Sequence, residues 1–486
     1  MKIISPQRNI SLAVVALCLF WLQWSYAQES SPDSRKSLET TINTILKDTL
    51  LKSSFVGIKI ISVDNGSVLY ERDSKKLFHP ASNIKILTTA AAIHYLKSNF
   101  SFSTTIYTDG KITDSILLGN LYIQGRGDPL LTTADFDTLA IQIKHRGISA
   151  ITGKIVGDIS YFDTVSWGHG WMWDDEPQVD EAFISPLSVN RNAIMIHASG
   201  GIKEGDSISF WIDPQTLIAT IINHGITTTD TSVQKLHALR PPQSNRIALE
   251  GCLQPNETYD LGVSIFNPAQ AFLHLFKERL ESNGIRIETR PSIGSNHGRI
   301  IIAEIFHPID SVLHRANKMS DNLAAENLLK TLAAECVGTP GTTSAGILLI
   351  KQYLTTAGID TSILMIADGS GVSWYNEVTP DALVRLLRHQ FLHRKTFTRF
   401  YESLAIAGYD GTIKNRMNGT RAALNVHAKT GSLNGVSCIS GYITTADNRL
   451  LAFSILCNQF PYELRLLRNI QDKILESIAN SSIGTK

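Results

Sequence analysis

The chain has 486 residues and a formal net charge of +1 at pH 7. That balance is too neutral to argue for nucleic acid or an anionic membrane surface as a partner, and the length calls for more than one domain. Cys252, Cys336, Cys438 and Cys457 are widely scattered, with no metal-type spacing and no dense framework, so buried free thiols are expected.

Residues 1–27 read as a secretory signal. Lys2 and Arg8 precede an apolar run from Ile10 to Trp24, and the small residues Ser25 and Ala27 predict cleavage before Gln28. The run is short for a membrane span, and Cys18, followed by more apolar residues, is a poor lipoprotein site. Removing the segment takes the formal net charge from +1 to −1.

Residues 37–53 carry Leu38, Ile42, Ile45, Leu46 and Leu50 at helical spacing. Strands at 55–63 and 67–72 flank Asp64-Asn65-Gly66, a strong hairpin signal. His79-Pro80-Ala81-Ser82-Asn83-Ile84-Lys85 then leads into an Ala-rich helix reaching about residue 97. Pro80 suits the position just before a helix, so Ser82 falls near a buried N-terminus. Lys85, three residues on, shares the face of Ser82. A desolvated lysine can take the proton of a serine that is otherwise a poor nucleophile. Alone, S-x-x-K is common and reads first as an N-cap followed by a surface charge.

From about 103 to 262 the pattern turns to short alternating segments (115–124, 151–159, 193–198, 208–212, 247–253), with one helix at 134–146. This predicts a mostly β insertion within another domain. Trp167, Trp171 and Trp173 are expected to pack it rather than to dock a ligand. Helices are expected again at 268–283, 320–334, 343–357 and 379–394, then strands at 428–431, 436–445 and 449–457. Leu464, Leu467, Ile470, Ile474, Leu475 and Ile478 share one face of a C-terminal helix. That face suits packing on a sheet better than lying on a membrane, since the polar face is not strongly basic. No internal repeat is evident.

Ser320-Asp321-Asn322 opens a helix, with Ser320 the natural N-cap. Lys429-Thr430-Gly431 ends a strand, where a lysine and a hydroxyl suit a substrate carboxylate and Gly431 lets substrate approach the backbone. In the order S-x-x-K, S-D-N, K-T-G these are the motifs of penicillin-recognising serine acyl enzymes.

The sequence further resembles the class C low-molecular-mass penicillin-binding proteins, the type-4 D-alanyl-D-alanine carboxypeptidase/endopeptidases. The similar segments are Asp368-Gly369-Ser370-Gly371-Val372-Ser373, Ala407-Gly408-Tyr409-Asp410-Gly411-Thr412, Lys414-Asn415-Arg416-Met417, Lys429-Thr430-Gly431-Ser432-Leu433 and Gly441-Tyr442-Ile443. Within the insertion they are Gly127-Asp128-Pro129, Gly157-Asp158-Ile159-Ser160-Tyr161-Phe162 and Gly251-Cys252-Leu253. Departures are small: Arg126 where the family often has glycine, and Phe183 where tyrosine is expected. The wide gap between Ser82 and Ser320 also resembles this family, whose members carry a large insertion there, and not the ordinary serine β-lactamases.

The resemblance implies an α+β, β-lactamase/transpeptidase-like fold, an antiparallel sheet flanked by helices with a large β-rich insertion. Its segments would be 28–102 and 263–486 for the peptidase domain and 103–262 for the insertion. It implies a periplasmic serine peptidase acting on peptidoglycan stem peptides and acylated by β-lactam inhibitors, without metal or other cofactor. Ser82 would attack the carbonyl between two D-alanines, Lys85 would be the base, and Ser320 would relay a proton to the leaving amine. Asn322 would hold the substrate backbone, Lys429 and Thr430 the terminal carboxylate, and the N–H groups of Ser82 and Ser432 the oxyanion. Asp158 and Arg416 would read the diamino acid of the stem, with Phe162 against its methylene stem. Asp410 is read as part of a turn.

Two rivals remain at this point. A β-lactamase would need a device for deacylating penicillin, and no glutamate motif for it is found. A non-enzymatic wall-binding protein would be marked by loss of Ser82, Lys85 or Lys429, and all are present. The oligomeric state stays open, a homodimer included.

Overall fold

The computed structural model describes residues 32–230 and 232–484; the expected leader, 1–27, lies outside the described residues. The chain forms a six-stranded sheet in the order 68–72, 55–62, 450–458, 436–444, 427–433, 405–406. Every neighbouring pair is antiparallel. The hairpin expected at Asp64-Asn65-Gly66 is present, with Gly66 at φ +76° and its N–H donating to the Ser62 carbonyl at 2.9 Å.

The central strands Val436–Thr444 and Leu450–Asn458 are buried along almost their whole length, because helices cover both faces of the sheet. Successive side chains alternate between those faces. Cys438 and Leu456 join a core with helices Ile84–Tyr95, Asn322–Cys336 and Pro380–Leu392. Ile439 and Cys457 join the opposite core, under helices Pro32–Ile45 and Leu464–Asn480. Cys438 and Cys457 therefore sit on opposite faces of the sheet, and all four described cysteines are free thiols, three of them buried as expected and Cys336 exposed at the end of its helix.

Helix starts follow local chemistry. Pro380 occupies the first turn of its helix behind Thr379, whose hydroxyl accepts from Ala382 N at 3.0 Å. At the S-D-N segment the cap differs from expectation. Asp321 caps the helix, its carboxylate accepting from Ala324 N at 2.9 Å, while Ser320 has φ +60°. Ser320 is the turn point between helices Ile309–Lys318 and Asn322–Cys336, and its left-handed backbone frees the hydroxyl for another partner.

The inserted unit is larger than the expected 103–262. Strand Ser101–Thr108 pairs antiparallel with Ile300–Pro308, so the chain enters and leaves on adjacent strands of one five-stranded sheet. Helix Pro268–Ser282 belongs to it as well. Phe272 and Phe276 pack edge-on against Phe136 of helix Thr133–His145, with centroids 4.7 and 5.2 Å apart. A second core within the insertion, around Ile194, Ile196, Ile247, Leu249 and Val263, is closed by smaller sheets.

Candidate active site

Ser82 lies in the single turn Ala81–Asn83 that leads directly into helix Ile84–Tyr95. Two glycines let other backbones press on this turn. A Cβ on Gly371 would stand 2.0 Å from the Ala81 carbonyl oxygen, and one on Gly431 would stand 2.5 Å from that of Pro80 and 2.9 Å from Ser82 N. Gly431 thus makes room for the nucleophile's own turn, rather than for substrate alone as its place in the strand suggests.

Lys85 is fully buried and donates three hydrogen bonds. They go to Ser82 Oγ at 2.9 Å, Asn322 Oδ1 at 2.5 Å and the Ser370 carbonyl at 2.7 Å. Burial brings its proton affinity down to about 8, against the opposing pull of Asp368 and Glu326. The other end of the Asn322 amide donates to the Asp180 carbonyl at 2.8 Å, so the inserted unit is tied to the catalytic centre through this side chain.

Lys429 is also fully buried. It donates to Ser320 Oγ at 2.8 Å and to the Thr430 carbonyl at 2.6 Å. Burial, and then the neighbouring Lys85, hold its ammonium well below the usual lysine range. Thr430 Oγ1 donates to Thr412 Oγ1 at 2.7 Å. Ser432 Oγ accepts from Arg468 Nη2 at 3.1 Å, and Arg468 comes from the C-terminal helix. Ser82, Ser320, Asn322, Thr430, Ser432, Arg468 and Glu181 all line one cavity of about 290 Å³.

A buried frame positions the loop that receives Lys85. Asp368 accepts from Trp171 Nε1, Gly371 N, Ser373 N and Asn376 Nδ2, all between 2.7 and 3.0 Å. Glu326, one helical turn beyond Asn322, accepts from Gly369 N and Ser370 N at 2.9 and 2.8 Å. Burial and the nearby Asp368 push the Glu326 carboxyl up to about 8.

Seven of the ten expected site residues meet around this cleft: Ser82, Lys85, Ser320, Asn322, Lys429, Thr430 and Ser432. Asp158, Phe162 and Arg416 do not line it. Asp158 is buried, caps its own turn at Ser160 N (2.9 Å) and accepts from Asn296 N (3.1 Å). Phe162 packs beside Tyr161 and beneath Lys330. Arg416 is paired with Asp472 on the C-terminal helix, at 2.6 and 2.9 Å. Asp410 accepts from Ile406 N within its turn and also pairs with Lys318.

Glu181, Arg468, Glu326 and Asp368 were not singled out as site residues. Glu326 had a usable signal, since it lies four residues beyond Asn322 on one helical face. Of the tryptophans, Trp171 packs as expected, but Trp173 is 87% exposed and Trp167 lines a separate cavity of about 490 Å³ beside helix Thr343–Thr356. None of the three motifs lines that cavity. Among the described residues no His, Cys, Asp or Glu cluster is placed to hold a metal, and no helix is long and apolar enough to cross a membrane.

A helix-flanked antiparallel sheet, with one serine–lysine pair at a helix start and a second across the cleft, defines a penicillin-recognising serine acyl enzyme. The chain belongs to the D-Ala-D-Ala carboxypeptidase 3 (S13) family, whose model matches residues 38–481, and with that family it is a serine-type carboxypeptidase. It is 31% identical over 437 residues to the D-alanyl-D-alanine carboxypeptidase of Actinomadura sp. (strain R39), covering 87% of this chain and 81% of that one. It is 26% identical over 432 residues to D-alanyl-D-alanine carboxypeptidase DacB of Haemophilus influenzae, covering 87% and 90%. The crystal structure of penicillin binding protein 4 from Haemophilus influenzae superposes with a TM-score of 0.79 at 25% identity, over 89% of this chain and 97% of that one.

Proposed function

We propose that the chain cleaves the bond between two D-alanines at the end of peptidoglycan stem peptides, and the corresponding bond in cross-links, through an acyl-enzyme on Ser82. The observation that carries this reading is the 2.9 Å bond between Lys85 Nζ and Ser82 Oγ at a buried helix start. With a proton affinity of about 8, Lys85 is neutral often enough near pH 7 to take the serine proton. The carbonyl oxygen becomes an oxyanion between the N–H groups of Ser82 and Ser432, a contribution of roughly 3–4 kcal/mol. Ser320, hydrogen-bonded by Lys429, relays the proton that Lys85 took on to the leaving amine, which leaves Lys85 neutral. Arg468, beside Thr430 and Ser432, receives the terminal carboxylate in the same cavity. A β-lactam presents the same carbonyl and carboxylate and acylates Ser82. The protein acts in the periplasm, after cleavage behind Ala27.

Fluorescent penicillin should label the wild-type protein once, at Ser82 by peptide mapping. Purified peptidoglycan should release D-alanine and un-cross-linked stems, identified by mass. A label that persists on Ser82→Ala would remove the assignment.

A further inference from the structure

We propose that the Glu181 carboxylate, brought to the cleft by the inserted unit, is the base that activates the water hydrolysing the Ser82 acyl-enzyme. This rests on the acyl-enzyme reading above.

Glu181 closes the turn Val179–Glu181 and lines the cavity that holds Ser82. The turn is held in register, because the Asp180 carbonyl accepts from the same Asn322 amide that accepts from Lys85. The cavity offers two carboxylates, Asp180 and Glu181. That of Asp180 is largely exposed and paired with Arg191 at 3.1 Å. That of Glu181 makes no hydrogen bond or ion pair among the described residues and is half-buried, so a cavity water is its available partner. Lys85 has its donors directed at Ser370 O, Asn322 Oδ1 and Ser82 Oγ, the last being the ester oxygen after acylation.

The charged groups facing Glu181 are Asp175 and Asp180 on its own segment, Lys85 on the nucleophile helix, Arg191 from the next turn and Arg468 across the cavity. Burial and the two aspartates push its proton affinity up to about 8, with Lys85 and Arg191 opposing. The base form therefore grows as pH rises through about 8.

In the step itself, the water oxygen bonds to the ester carbon while one water proton passes to the Glu181 carboxylate. Glu181 passes that proton to neutral Lys85, and the tetrahedral intermediate breaks its bond to Ser82 Oγ, which takes the proton from Lys85. Glu181 is left a carboxylate and Lys85 neutral, as each began, and the product leaves as a free acid.

The test separates acylation from deacylation in the full-length protein. For Glu181→Gln, the loss of bound fluorescent penicillin should slow about 10²-fold, while the rate of labelling stays within twofold. With a D-alanyl-D-alanine pentapeptide, kcat and KM should fall together, leaving kcat/KM unchanged, and acyl-enzyme should accumulate by intact mass. The rise of deacylation through pH 8 should vanish in Glu181→Gln and persist, at lower amplitude, in Glu181→Asp. An unchanged deacylation rate, or equal losses in kcat and kcat/KM, would overturn the proposal. If no acyl-enzyme forms in the wild type, the fault lies with the acyl-enzyme reading instead.

Discussion

Lys429 donates to the Ser320 hydroxyl at 2.8 Å and, fully buried, does not itself line the cavity that Ser320 and Arg468 share. In the proposed reading the carboxylate binding expected of Lys429 and Thr430 passes to Arg468, and Lys429 governs the proton on Ser320 instead. Arg468→Ala should raise KM for peptides ending in free D-alanine about 10- to 100-fold, the scale of a lost charge-assisted hydrogen bond. The same peptides with amidated C-termini should be spared. Lys429→Ala should lower kcat on both. Steady-state kinetics on the matched pair decides it, and an amidated peptide that escapes the Lys429 defect would restore the lysine as the clamp.

The second prediction concerns pH. Burial lowers Lys85 to about 8, so its neutral, proton-accepting fraction grows as pH rises and saturates above that value. Acylation by a β-lactam should accordingly be roughly a hundredfold slower at pH 6 than on its alkaline plateau. Stopped-flow labelling across pH 5.5–9.5 measures this directly. A rate independent of pH over that range would mean that Lys85 is not the base.

The K-T-G strand, expected to end at Gly431, runs on to Leu433. The other two catalytic motifs were legible because they sit at element boundaries that local chemistry sets: Pro80 marks the nucleophile turn, and the S-D-N segment opens a helix. Even there, Ser320 was read as a cap because serine caps well, whereas Asp321 takes that place. What depends on distant partners was not legible. Strand Ile300–Pro308 belongs to the insertion because it pairs with Ser101–Thr108, and nothing local to either strand announces it. Glu181 sits in a segment without periodicity, and Arg468 on a helix whose return to the K-T-G strand is a tertiary fact. Asp158 and Arg416 matched family segments, yet their partners, Asn296 and Asp472, lie far along the chain.

The third prediction tests the close approach at the nucleophile. A methyl group at position 431 would stand 2.5 Å from the Pro80 carbonyl and 2.9 Å from Ser82 N. Both contacts are backbone and cannot rotate away. Gly431→Ala should therefore shift the Ser82 turn, and displacement on the ångström scale costs about 10²-fold in such reactions. Penicillin labelling should fall by that order while far-ultraviolet circular dichroism stays native. Labelling at the wild-type rate would show that the turn yields without cost.

The last prediction concerns Arg416, expected at first to read the diamino acid of the stem peptide. Its guanidinium makes two bonds to Asp472, one to Gln471 and one to the Arg468 carbonyl, with side-chain exposures of only 10% for Arg416 and 15% for Asp472. It joins the segment before the K-T-G strand to the helix that carries Arg468. Removing one partner of such a pair leaves the other charge uncompensated, a loss of about 3 kcal/mol for a largely buried pair. Arg416→Ala should therefore lower the unfolding midpoint clearly. Its effect on kcat/KM should be the same for a diaminopimelate-containing pentapeptide and for acetyl-D-alanyl-D-alanine, since both present their carboxylate to Arg468. Asp472→Asn should reproduce the stability loss, because it removes the same pair from the other side. A variant that keeps its unfolding midpoint but loses only the longer peptide would return Arg416 to substrate recognition and exclude the tether.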